Sequence, residues 1–217
     1  MKILCISDQI DPQVYSPLIK ERFSGVDFVL SAGDLPLDYL DYIISCLNKP
    51  LFFVFGNHHL NELKHYRGIW NMPYEEEKVY FCCGAVHLGS CVKIENGMIL
   101  AGLGGCKRYN RGENQFSEFE MFLEITKIIP KLLWNRIFRR RFLDILLTHA
   151  PPSGIHDKND KCHQGFKIFL WFMKVFKPKY LIHGHIHLYD LSDVRSTKYL
   201  NTTVINAYSH YLVNLGE

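Results

Sequence analysis

The sequence predicts an α/β fold in which parallel βα units come first and a mixed or second sheet follows. Three observations carry that expectation. Short apolar runs alternate with helix-patterned segments up to Phe55, a βαβαβ rhythm. A polar group stands just past the end of each run: Asp8, Asp34, then Asn57 with His58. Later, Asn96-Gly97 joins two apolar runs as a tight antiparallel hairpin, so parallel units alone cannot account for the chain.

Lys2–Ser7 is a compact apolar run that reads as a buried strand, with Asp8 at its end. Tyr15–Phe23 is expected to be a short helix, capped by Ser16 and with Pro17 at its first position. Val26–Leu30 is a second strand, closed by Ser31-Ala32-Gly33-Asp34. Leu37–Leu47 is helical in pattern and Pro36 suits its first turn; Leu51–Phe55 is a third strand, running into Gly56-Asn57-His58-His59. Ligands of open parallel sheets sit in the crevice at the carboxyl ends of the strands, so element order alone gathers these polar groups.

Residues 61–84 lack a period, and their acidic run Glu75–Glu77 reads as a solvated loop face. Val86–Leu88, Cys91–Glu95 and Met98–Gly102 read as strands. Gly102-Leu103-Gly104-Gly105 follows a strand, but no helix opens at the spacing a dinucleotide fingerprint requires. It reads instead as a glycine-rich active-site loop presenting Arg108 and Tyr109 to substrate, with a structural arginine as the alternative. Phe116–Phe142 has helical spacing that Pro130 should kink or split in two. From Lys127 to Arg141 it carries six bases and no acid. That segment is either a solvated basic face or a surface for anionic lipid or an acidic substrate.

Leu143–Leu147 is a strand ending at Thr148-His149, where Pro151-Pro152 stiffens the loop. Phe166–Phe176 is a helix with an apolar face, Tyr180–His187 begins as a strand, and Thr203–Ala207 and Tyr211–Leu215 close the chain as strands. Without a repeat or linker, residues 1–217 read as a single domain with a basic helical insertion around 116–142.

A hydrophobic content of 47% with 22% charged residues is ordinary for a globular chain, and a net charge of +3 is too small to argue for a nucleic-acid partner. No apolar run approaches the ~18 residues of a membrane span. The N-terminal run meets Asp8 too early for a secretory signal. Seven cysteines, an odd number with no Cys-x-x-Cys, point to free thiols in the cytoplasm rather than a disulfide framework or zinc ribbon.

In Tyr180–His187 three histidines alternate, and an extended backbone would send His185 and His187 to one face, with Gly184 leaving room for a turn. Together, Asp8, Asp34, Asn57, His58, His149, His185 and His187 offer more ligands than one metal takes. Two carboxylates, an amide oxygen and several imidazoles suit a dinuclear site of Mn or Fe, with Zn next, better than Ca. Two ions ~3.5–4 Å apart can activate a water and neutralise charge developing on a phosphoryl group.

These residues occur as Asp8-Gln9-Ile10, Gly33-Asp34, Gly56-Asn57-His58-His59, His149 and Gly184-His185-Ile186-His187. In that order they resemble the motifs of the calcineurin-like metallophosphoesterases: Asp-x-His, Gly-Asp, Gly-Asn-His-Asp/Glu, a strand-end His and Gly-His-x-His. The resemblance runs from Met1 through His187. It implies a four-layer αββα sandwich of two mixed sheets flanked by helices, and two divalent metal ions. It also implies that Asp34 bridges both ions, that Asp8 and His187 hold the first, and that Asn57, His149 and His185 hold the second. His58 would contact the phosphate and protonate the leaving oxygen, while a metal-bridging hydroxide attacks phosphorus. His183 lies outside the motif and is expected to be a core or supporting imidazole.

Two positions depart from the family pattern. Ile10 replaces the first-motif histidine, and Asp11 is the candidate substitute ligand. His59 stands where an acid usually orients the preceding histidine, so weaker general-acid catalysis by His58 is expected, mainly on poor leaving groups. The function implied is hydrolysis of a phosphomonoester, phosphodiester or pyrophosphate in a small phosphorylated substrate. The alternative is a non-catalytic binding module with a degraded metal site.

Overall fold

Side-chain alternation along the inner strands sets the layers. In β1 (Lys2–Ser7), Leu4 and Ile6 face one side while Ile3 and Cys5 face the other. The same alternation continues through β2 (Phe28–Ser31) and β3 (Leu51–Phe53). One face packs on α1 (Ile19–Phe23) and α2 (Leu37–Leu47) through Ile19, Phe23, Leu40 and Ile43. On the other, Ile3, Phe28, Leu30 and Phe52 meet Leu100, Ile145, Leu147 and Ile182 of a second sheet. That sheet's far face, with Ile99, Leu146 and Leu181, packs on α3 (Glu118–Arg139) and α4 (Lys167–Phe176). The result is four layers, α/β/β/α, with three apolar cores between them. This computed structural model describes residues 1–61, 63, 84–190 and 192–215; nearly all of the aperiodic 61–84 stretch, including Glu75–Glu77, Cys82 and Cys83, lies outside the described residues.

The remaining strands are β4 (Val86–His87), β5 (Val92–Glu95), β6 (Met98–Leu103), β7 (Cys106–Lys107), β8 (Gln115–Phe116), β9 (Ile145–Thr148), β10 (Tyr180–His183), β11 (Ser196–Tyr199), β12 (Thr202–Asn206) and β13 (Ser209–Asn214). The first sheet runs β13-β1-β2-β3-β4, parallel except for β13. The second runs β11-β12-β10-β9-β6-β5, parallel in the middle and antiparallel at both edges. Both sheets are therefore mixed, and the Asn96-Gly97 turn forms the β5–β6 hairpin as expected. β7 and β8 form a small parallel pair beside them. The five described cysteines are free thiols.

Several elements differ from expectation, the short pair β7 and β8 among them, since the stretch after Gly105 read as a loop. The first helix starts at Ile19, because the Ser16 hydroxyl accepts the Leu18 N–H at 3.2 Å and so closes a turn upstream of the helix. Residues 118–139 form one continuous helix with Pro130 inside it. Proline removes only one main-chain hydrogen bond, and Ile125, Ile128 and Leu132 bury both halves against the same core. Ser117 and Glu120 form a reciprocal capping box that defines its start. The strand at 180 ends at His183, and the chain turns at Gly184 into a left-handed His185 with φ 67°. Turn geometry, rather than strand alternation, therefore aims His185 and His187. Finally, β11 has no apolar alternation and went unforeseen; pairing with β12 holds this edge strand.

Candidate metal centre

Every sequence-singled loop leaves the carboxyl end of a strand at one end of the sandwich: Asp8 after β1, Asp34 after β2, Asn57 after β3, His149 after β9 and His185 after β10. Asp8 and Asp34 both take left-handed backbone, at φ 62° and 57°, and the Asp8 N–H donates to Gly33 O at 3.1 Å. Two glycines let the loops close in. A Cβ on Gly56 would lie 2.0 Å from Asp34 Oδ1, and one on Gly184 would lie 2.5 Å from Asp8 Oδ2.

Among the described residues, Asp34, His149 and His185 form the one carboxylate, histidine and cysteine group whose ligand atoms all lie within 4.8 Å of one another. His149 is fully buried; its Nδ1–H donates to Ala32 O at 2.8 Å, and Nε2 lies 3.4 Å from Asp34 Oδ2 and 3.1 Å from Asn57 Oδ1. The Tyr109 hydroxyl accepts from Asn57 Nδ2 at 3.3 Å, which turns the amide so that its oxygen faces the site. His185 Nε2–H donates to Cys162 O at 2.7 Å, leaving Nδ1 as its ligand atom. Its backbone N–H donates to both Asp8 oxygens at 2.9 Å.

Burial disfavours charge throughout the site, and specific partners decide which groups overcome it. Burial would lower His149, but the adjacent Asp34 carboxylate, with Asp8 and the Ala32 bond, raises it to about 9. Burial would raise Asp34, yet His149 and the His58 N–H at 2.8 Å hold it well below the usual carboxylate range. Asp8 stays raised, chiefly by burial. Burial and neighbouring His149 lower His185 to about 3, so it is neutral and ready to bind a cation.

The other singled-out residues divide. His187 Nε2 lies 4.0 Å from Asp8 Oδ1, its Nδ1 is 2.7 Å from the Tyr189 hydroxyl, and its ring stacks on Tyr208 with centroids 4.9 Å apart. His58 is anchored by its backbone N–H on Asp34 and is exposed at the mouth. Arg108 pairs with Glu120 at 2.9 Å and donates to Gln115 O at 3.2 Å, so it braces the loop. Tyr109 reaches the site through Asn57.

Ile10 is 45% exposed. The Asp11 carboxylate, the candidate substitute, points elsewhere: it accepts from Ser209 Oγ at 2.5 Å, His210 Nδ1 at 2.6 Å and Gln13 N at 2.7 Å. Its oxygens are thereby engaged in joining the first loop to β13. His183 is fully buried and in contact with His156 at 2.9 Å, in keeping with a supporting role.

A divalent cation fits the chemistry of the first group. The Ala32 carbonyl fixes the His149 tautomer, as metal-ligating histidines require, and leaves Nε2 facing two oxygens that can only accept. The Nε2 proton that a raised pKa retains there would give way to the cation. Binding at pH 7 is therefore expected to release at least one proton per chain, with affinity rising about tenfold per pH unit until His149 deprotonates near 9. Calorimetry in two buffers of different ionisation enthalpy measures this, and zero proton release would rule out His149 as a ligand.

Sequence reasoning passed over three supporting residues. Asn114 donates to Phe55 O and Gly56 O, tying the Arg108–Tyr109 loop to the Gly56-Asn57 turn. Asn206 donates to Ile186 O at 2.8 Å. Tyr208 donates to Gln9 Oε1 at 2.6 Å while stacking on His187. Asn206 ends β12, so the rule that found Asp8 and Asp34, a polar group at a strand's carboxyl end, would have found it too.

The family profile described as calcineurin-like phosphoesterase matches residues 1–189. A solved crystal structure superposes on the chain with a TM-score of 0.68 at 16% identity, covering 98% of this chain and 94% of that one. The crystal structure of TT1561 of Thermus thermophilus superposes with a TM-score of 0.60 at 15% identity, covering 96% and 89%. No curated protein matches. These two structures share the fold, and the matched profile spans every strand-end loop that builds the site: the chain belongs to the calcineurin-like phosphoesterase family.

Proposed function

We propose that this protein is a metal-dependent hydrolase of a phosphate ester or pyrophosphate in a small phosphorylated substrate. The observation that carries the reading is the convergence of Asp34, Asn57, His149 and His185, with His149 locked in the tautomer a cation needs. Those four would hold one divalent ion; Asp8 and His187, with Asp34 between the two positions, would hold a second. The mixed oxygen and imidazole set favours Mn or Fe, then Zn. Bound there, such ions would supply Lewis acidity, withdrawing charge from the phosphoryl group and acidifying a water.

The chain's own groups do the rest. Asp34, with its carboxylate held ionised, orders the mouth by accepting the His58 N–H. His58 then presents its imidazole to the leaving oxygen and donates the proton that oxygen needs. Tyr109 positions substrate indirectly, through Asn57. Free thiols are in keeping with a reducing, cytoplasmic setting.

The test is metal analysis of the purified protein together with a panel of phosphomonoesters, phosphodiesters and pyrophosphates assayed after Mn addition. His58→Asn is expected to reduce hydrolysis of an alkyl ester by about 100-fold and that of a nitrophenyl ester by about tenfold or less. Equal losses would remove the general-acid role. The second reading, a binding module, is favoured by Ile10, which leaves the Asp8–His187 position short of a ligand while Asp11 is engaged elsewhere. Bound metal with no turnover on any substrate would establish that reading instead.

A further inference from the structure

The long helix α3 is apolar on two opposite faces. At 100° per residue, Met121, Ile125, Ile128 and Leu132 share the buried side. Phe119, Leu123, Leu133, Trp134 and Ile137 fall opposite them, and these are 67%, 43%, 50%, 56% and 71% exposed. They fall in two groups, Phe119 with Leu123 near the start of this ~33 Å helix and Leu133, Trp134 and Ile137 near its end. Phe138, 63% exposed, lies against Trp134 with ring centroids 4.2 Å apart, extending the second group toward the basic end. Isolated exposed apolar residues need no explanation, but the cluster of Leu133, Trp134, Ile137 and Phe138 marks an interaction surface.

Charge identifies the partner. Lys127 and Lys131 flank the outer face, Arg136, Arg139, Arg140 and Arg141 cluster at the C-terminal end of the helix, and no acid occurs from Lys127 to Arg141. Lys131, Arg139 and Arg140 have no acidic partner among the described residues. The helix's own acids are engaged: Glu118 accepts from the backbone of Lys167 and Ile168, Glu120 closes the cap and pairs with Arg108, and Glu124 bonds Ser90 and Lys127. A second copy would therefore set like charge against like charge. An anionic bilayer offers negative headgroups above an apolar layer that Trp134, Ile137 and Phe138 can enter. Among the described residues no helix is long and apolar enough to cross a membrane, so the fitting geometry lies along the surface.

We propose that the outer face of α3 docks this protein on a membrane rich in anionic phospholipid, with the helix axis in the plane of the interface. The site end of the sandwich, where α3 begins at Glu118 beside the Arg108–Tyr109 loop, then lies beside the bilayer rather than buried in it. This docking does not depend on the reading of the metal centre.

The test is co-sedimentation of the full chain with vesicles of phosphatidylcholine alone or with about 30% phosphatidylserine, at low and high salt. Binding is expected to require phosphatidylserine and to fall as salt rises. The charge variant K131E/R139E/R140E and the apolar variant W134S/I137S are each expected to lose at least about tenfold in affinity while melting within a few degrees of wild type. These side chains are exposed, so both variants should fold. Absence of phosphatidylserine-dependent binding, or equal binding by both variants and wild type, would overturn the proposal. A wild-type dimer in sedimentation velocity that W134S/I137S dissociates would also overturn it, by assigning the outer face to a second copy of the chain.

Discussion

Asp34→Asn is expected to lower affinity for a divalent cation by more than about 100-fold, beyond the 10–100-fold typical of losing a residue that merely supports a ligand. The substitution is nearly isosteric, and the amide oxygen can still accept the His58 N–H that Asp34 Oδ1 accepts at 2.8 Å. What disappears is the negative charge 3.4 Å from His149 Nε2. That charge is the main influence opposing burial at His149, so the imidazole should titrate well below its present value of about 9. The proton released on cation binding at pH 7 should therefore shrink along with the affinity. Metal content after dialysis and calorimetry in two buffers read the two effects separately. Wild-type metal content in the variant would remove Asp34 from the ligand set.

The sheet strands other than β11 were readable because apolar runs of strand length, bounded by Gly, Pro or Asp, leave little else for the chain to do. Asp8, Asp34 and Asn57 were placed together by strand order alone; His149 was added as a further strand-end group, and the distances place it with Asp34 and Asn57. Three kinds of information lay beyond local sequence. Pro130 is locally a helix breaker, but Ile125, Ile128 and Leu132 bury both sides of it, so tertiary packing prevails. The direction of Asp11 depends on Ser209 and His210, almost two hundred residues away in the chain, which no spacing rule connects. The roles of Arg108 and Tyr109 likewise turn on Glu120 and Asn57, partners that only the folded loop reveals.

Gly56→Ala is expected to reduce cation affinity by about 100-fold or more although it adds a single methyl group and changes no ligand. The added carbon would lie 2.0 Å from Asp34 Oδ1, 2.6 Å from Asp34 Cγ and 2.5 Å from His149 Cε1. Neither neighbour is free to swing aside. Asp34 is tethered by the His58 N–H, and His149 is fully buried with its Nδ1–H on Ala32 O. The glycine itself cannot retreat easily, since Asn114 grips the carbonyls of both Phe55 and Gly56. Overpacking of this kind costs roughly 1–3 kcal/mol of stability, which a domain of this size can survive, whereas a displaced carboxylate no longer meets His149 and His185 around one point. Gly25→Ala is the matched control, because a Cβ there meets nothing within 4 Å. It should leave both cation affinity and melting temperature near wild type. If Gly56→Ala bound metal as tightly as Gly25→Ala, close approach at Gly56 would not be what shapes the centre, and the assignment of Asp34 and His149 as joint ligands would lose its steric support.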